Sequence, residues 1–104
     1  QKVKAMGKEK WKEVQVEGDA ICDRIVKLMD LLPSSTEVQN EIANHYRHTS
    51  IFYEVSEERY RGLGKMYIED ERFTAHFEKF GNGLAEFLHK AIEVFCDNGL
   101  TMNK

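Results

Sequence analysis

The chain has 104 residues, enough for one domain with a modest core. Its 41% hydrophobic and 32% charged residues suit a globular protein and argue against disorder. A net charge of −3 excludes nucleic-acid binding by overall electrostatics, and no apolar stretch reaches the roughly 18 residues of a membrane span.

The single proline and the near absence of strand-like alternation predict an all-α chain. The basic start (Lys2, Lys4, Lys8, Lys10, Lys12) reads as a solvated helix face. The first helix is expected from near Lys8 to Leu32. Trp11, Val14, Gly18, Ile21, Cys22, Ile25, Leu28, Met29 and Leu32 recur there at steps of three and four, and Pro33 stops it. Ser34, Ser35 or Thr36 can cap a second helix carrying Val38, Ile42, Ala43, Tyr46, Thr49, Phe52 and Tyr53, expected to end near Val55. Ser56 reads as the next N-cap, with Glu57 and Glu58 in the first turn of a third helix that holds Tyr60, Leu63, Met66 and Tyr67. Asp70 caps a shorter fourth helix with Phe73, Phe77 and Phe80 on one side. Gly81-Asn82-Gly83 turns the chain into a last helix, Leu84 to Cys96, and Gly99 fits its C′ position. About five helices with short connections account for the whole chain, a single domain over residues 1–104 whose first ten residues or so are expected to be mobile. The opening on Gln1 rather than Met suggests a piece of something longer.

Little here is catalytic. There is no phosphate-binding glycine loop, no GxSxG, no HExxH, and no cysteine beside a histidine in sequence. The carboxylates sit on polar faces with Lys and Arg. The chain is therefore read as a non-enzyme, with no cofactor and no metal site. Cys22 and Cys96 match no disulfide framework or zinc spacing and read as buried thiols in a reducing cytoplasm. His45 and His48 share a helix face, and all four histidines read as polar edges of an aromatic cluster.

The aromatic residues carry more information. Eleven Phe, Trp and Tyr stand in 104 residues, more than a small core needs. An apolar wall with a few polar tips is the character of a pocket for flat heteroaromatic molecules. Gly62 and Gly64 each cost about 1 kcal/mol inside a helix. A tight helix crossing, a kink or room for a ligand could offset that cost, and tight packing is the commonest of these.

Several short motifs carry a resemblance: His45-x-x-His48, Phe52-Tyr53, Gly62-Leu63-Gly64-x-Met66-Tyr67, Asp70-Glu71-Arg72-Phe73-Thr74 and Gly83-Leu84-Ala85, preceded by the "KEKWKEV" around Trp11. In this order they resemble the TipA-type antibiotic-recognition (TipAS) domain, the C-terminal effector domain of MerR-family transcription activators. The resemblance covers roughly residues 8 to 97. It implies a globin-like all-α fold without haem, a cleft for hydrophobic or heteroaromatic antibiotics, and a segment before the core that closes over the ligand. It also implies that DNA is bound by an N-terminal winged-helix domain absent here, so this domain is a monomer by itself and part of a dimer in the full regulator, without nucleic-acid or membrane contacts of its own.

Trp11, His48, Phe52, Tyr53, Tyr60, Tyr67 and Phe77 are the expected stacking and hydrogen-bonding residues. Val55 and Ser56 join them because in the thiopeptide-capturing type a cysteine follows the Phe-Tyr-Asp motif. Here the sequence reads Phe52-Tyr53-Glu54-Val55, and Val55 has no nucleophile. Reversible binding is expected instead, of the kind that controls multidrug resistance. The alternative is a helical interaction or dimerisation module whose aromatics are all core and which takes no small molecule.

Overall fold

The computed structural model describes residues 8–51 and 54–100, with side chains from Lys10 onward. Five α-helices and no strand occur among them: α1 (Lys8–Val26), α2 (Thr36–Thr49), α3 (Glu57–Glu69), α4 (Glu71–Glu78) and α5 (Leu84–Asp97). The all-α expectation is met, and four caps form as the sequence suggests. Ser35 and Ser56 accept from the amides of Val38 and Arg59, and Asp70 accepts from Arg72. At the far end Gly99 is left-handed (φ 76°), with Leu100 N–H on the Phe95 carbonyl and Gly99 N–H on that of Cys96, a Schellman closure.

Two helix ends fall short of expectation. α1 stops at Val26, not Leu32. The Lys27 amide reaches the Asp23 carbonyl only at 3.4 Å, and Leu28, Met29 and Leu31 then bond three residues back. That tighter turn packs Leu28 and Met29 against the core and leaves Leu32 72% exposed. α2 stops at Thr49, well before Val55. Hydroxyls end it: Thr49 and Ser50 donate to the carbonyls of His45 and Tyr46, and Ile51 N–H bonds back to the His48 carbonyl in a three-residue turn.

The centre of the fold is the α3–α5 crossing, with α2 packed on α5 and α4 on both α3 and α5. α5 supplies Leu84, Leu88, Ile92 and Phe95, all at most 1% exposed. Gly64 permits the crossing, because a methyl there would stand 3.3–3.4 Å from three atoms of Ile92. Gly62 is different. It is exposed, and a methyl would meet nothing within 4 Å, so tight packing accounts for one of the two glycines and not the other. Outside the crossing, Arg61 binds Glu57, Glu93 and Asp97, bridging α3 to α5.

Two ties escape simple pattern reading. Glu78, the last residue of α4, accepts from the amides of Gly83 (2.7 Å) and Ala85 (3.1 Å) and so caps α5 from outside. Those two amides hold its carboxyl below the usual glutamate range. Gln39 on α2 donates to the carbonyls of Pro33 (2.9 Å) and Ala91 (3.1 Å), fastening the α1–α2 connection to α5. By contrast α1 leans mainly on α2. Its amino-terminal half stands away from the α3–α5 centre, and a cleft lies under it.

Candidate functional site

The cleft is built from helix faces. α1 contributes Trp11, Val14, Gln15, Gly18, Asp19 and Cys22, spaced by threes and fours and therefore on one face. α2 contributes His45, His48 and Thr49, α3 contributes Tyr67, and α4 contributes His76 and Phe77. The volume of the cleft is about 340 Å³. A second hollow of about 640 Å³, lined by Tyr67, Arg72, Phe73, His76 and Phe77, shares three of these residues and extends the first along α4. Both lie in the size range of small-molecule sites.

A close approach joins α1 to α2. The His48 ring fits where Gly18 has no side chain; a methyl on Gly18 would stand 2.9 Å from its Cε1. In that notch His48 Nε2 reaches the Val14 carbonyl at 2.7 Å. A carbonyl only accepts, so the proton is on Nε2 and His48 is the donor. The first-helix glycine that pattern reading places in an apolar stripe is thus the socket for a histidine.

His45 forms the buried floor. Its Nδ1 lies 2.7 Å from the Tyr60 hydroxyl, the two rings stack with centroids 5.8 Å apart, and Tyr67 meets it edge-on at 6.1 Å. Burial, with a smaller contribution from nearby His48, pushes its pKa down to about 4, so it is neutral at physiological pH. The same burial pushes the Tyr60 hydroxyl well above its ordinary range. Above the floor the wall is aromatic: Tyr67 packs on Phe77 at 4.5 Å and Phe73 at 5.8 Å, and His76 sets its ring against Phe77 and Phe80. Among the described residues no group of three or more His, Cys, Asp or Glu could hold a metal ion.

The expected site residues divide into three groups. Trp11, His48, Tyr67 and Phe77 come together on the cleft wall, from four different helices. Tyr60, Val55 and Ser56 stand elsewhere. Tyr60 is 0% exposed, ringed by His45, Tyr46 and Phe95, and belongs to the core. Val55 is buried beneath the start of α3, where its carbonyl accepts from the Tyr46 hydroxyl. Ser56 is exposed and occupied as the α3 cap, beside a shallow hollow lined by Glu54, Val55 and Arg59. Phe52 and Tyr53 lie outside the described residues.

Pattern reading passes over Gln15, Asp19, Thr49 and His76 as cleft residues. The signal for the first two was present: Gln15 and Asp19 follow Trp11 at steps of four.

Neither thiol is poised as a nucleophile. Burial first, then the charges of Asp19 and Asp23, push Cys22 up to about 12, and burial pushes Cys96 up to about 11. Among the described residues no helix is long and apolar enough to cross a membrane.

Comparison with known proteins gives a consistent result. The family model of the TipAS antibiotic-recognition domain matches residues 1–95. The HTH-type transcriptional activator mta of Bacillus subtilis is 36% identical over 95 residues, 90% of this chain and 37% of that protein. The HTH-type transcriptional activator TipA of Streptomyces coelicolor is 34% identical over 95 residues, 88% of this chain and 38% of its own length. The HTH-type transcriptional regulator SkgA of Caulobacter vibrioides is 30% identical over 98 residues, again 38% of its length. The chain thus spans less than two fifths of each of these relatives. No solved structure is significantly similar to it.

Proposed function

The chain belongs to the TipAS antibiotic-recognition domain family, and from that premise we propose that it is the effector-sensing domain of a MerR-type transcriptional activator. The cleft between α1, α2, α3 and α4 takes a hydrophobic, heteroaromatic antibiotic. One observation carries this reading: Trp11, His48, Tyr67 and Phe77 come from four helices and border one open volume. Tyr67 and Phe77 are also buried, at 7% and 6% exposure, so in the alternative, an interaction module without a small-molecule site, Trp11 and His48 would close onto them and leave no volume between.

Binding is reversible in this reading. Val55 offers no nucleophile, and the thiol facing the cleft, Cys22, is held protonated. The cleft also lacks the arrangement of turnover. His48 is engaged by a main-chain carbonyl, and His45 by Tyr60. The domain binds and signals, and catalysis has no part in the proposal.

The signal passes through α1. A ligand between α1 and α4 adds contacts to the helix that leans mainly on α2. Those contacts shift the regulator towards its activating state by as much as the ligand's affinity differs between the two states. In the full-length cytoplasmic regulator a separate amino-terminal winged-helix domain holds DNA and the protein is a dimer. The domain by itself is a monomer.

Trp11, the only tryptophan, provides the test. Its fluorescence is followed while thiostrepton and a panel of bulky heteroaromatic antibiotics are titrated, with melting curves in parallel. The expected outcome is a saturable change with at least one of them. At a hundred times Kd the ligand adds about 2.7 kcal/mol of stability. A flat response across the panel, with no rise in Tm, overturns the sensor reading in favour of the interaction module.

A further inference from the structure

Asp19 faces the cleft from α1, one turn beyond Gln15 and one turn before Cys22. It is the only carboxylate among the described lining residues, and none of those residues is a lysine or arginine. Among the described residues no cation lies within ion-pair distance of it. The nearest candidate on its own helix, Arg24, is taken by Glu41 at 2.9 Å and Glu17 at 3.5 Å. Arg72, in the adjoining hollow, is taken by Asp70 at 3.1 Å. The Asp19 charge is felt inside the site, since it adds to burial in raising the Cys22 thiol.

The rest of the wall is largely aromatic: Trp11, Tyr67 and Phe77 border the same volume, and aromatic rings attract cations through their quadrupole. His45, the floor, is neutral. Of the other lining histidines, His48 turns its Nε2 to the Val14 carbonyl and His76 packs on Phe77. A delocalised cation on such a wall gains from the rings as well as from the carboxylate, and loses little hydration in entering. An anion of the same shape is repelled by the carboxylate.

We propose that the cleft selects hydrophobic cations, seating an aromatic or charge-delocalised positive ion against Trp11, Tyr67 and Phe77 with Asp19 as its counter-charge. This rests on reading the cleft as the ligand site. It adds the charge of the ligand, which size and apolarity leave open. Asp19 acts as the specificity-determining residue. Because the carboxylate is at an exposed position, its contribution weakens as salt is raised.

Tetraphenylphosphonium and tetraphenylborate test this, being nearly the same shape with opposite charge. Each is titrated into the wild-type domain, Asp19→Asn and, as a remote control, Asp30→Asn, by Trp11 fluorescence and calorimetry. The expected result is roughly tenfold or greater preference for the phosphonium in the wild type and the control. Asp19→Asn narrows that preference severalfold with Tm unchanged, since Asp19 holds no ion pair in the fold. Equal binding of the two ions, or a preference that Asp19→Asn leaves intact, overturns the proposal. If neither ion binds while an antibiotic saturates the Trp11 signal, charge selection is overturned and the sensor reading stands. If no compound of either kind binds, the sensor reading falls and this one with it.

Discussion

Tyr60 and Tyr67 stand two turns apart on α3, and their surroundings differ in kind. Around Tyr60, α2 and α5 close from both sides. The ring touches His45, Tyr46 and Phe95, and the hydroxyl is used by His45. Tyr67 is buried as well, against His45 of α2 and Phe73 and Phe77 of α4, but its ring also borders the cavity beneath α1. The difference lies in the partners. Where α3 crosses α5, Gly64 brings the backbones close and side chains interlock. Where α1 meets α2, the His48 ring is seated in the Gly18 notch, and the open space lies beyond it, between α1 and α4. One residue type is therefore core alone in one half, and core and cleft wall at once in the other.

The largest test of that contrast is truncation on the closed side. Phe95→Ala, at 1% exposure, should cost about 3–5 kcal/mol in urea unfolding. Trp11→Ala on the cleft rim should cost less than about 2 kcal/mol. Comparable losses would mean that the cleft half is as tightly built as the centre, and the contrast would fail.

Acid probes the seam between the halves. His45 sits near 4 when folded and near its ordinary 6.5 when unfolded, so in that interval the unfolded chain binds the extra proton. The contribution of neutral His45 is complete above about pH 6.5 and is lost as pH falls towards 4, roughly 3 kcal/mol over the whole interval. Stability measured at about pH 7 and about pH 5 should fall by roughly 2 kcal/mol from this group, and His45→Phe should remove that share of the descent. An unchanged slope in the variant would show that His45 is not sealed from water.

The two glycines give effects of opposite sign two residues apart, the one at Gly62 being the smallest expected. Gly64→Leu should destabilise by about 1–3 kcal/mol, since Ile92 already fills the space. Gly62→Ala faces open solvent and should stabilise by about 1 kcal/mol. Thermal melts of both variants decide it.

The helices were legible because their signals are local. Ser35, Ser56, Asp70 and Gly99 announce their ends through the chemistry of single side chains. Where an end depends on something less local, reading along the chain overshoots. Hydroxyl back-bonding stops α2 at Thr49, and the tightened turn after Val26 precedes Pro33. The cleft is legible only in part for a related reason. Trp11, Tyr67 and Phe77 are visible as aromatics, but Tyr60 carries the same signature and fills the core. Gly18 cannot be told from an ordinary weak point in a helix until His48, thirty residues on, is seen to occupy it. Asp19 looks like one more surface carboxylate until the helix face is known.

Cys22 and Cys96 give the protein two internal clocks. Both thiols are buried, and both are held protonated. Each reacts with an alkylating probe only when its own shelter opens. Cys22 lies on α1 itself, in the roof of the cleft, and Cys96 near the end of α5, with its thiol on the Glu57 carbonyl at the start of α3. The rate at the first reports any opening of α1 from its neighbours, and the rate at the second any opening of the α3–α5 contact. The ratio of the two measures on a native sequence, without an added dye, how independently the roof moves.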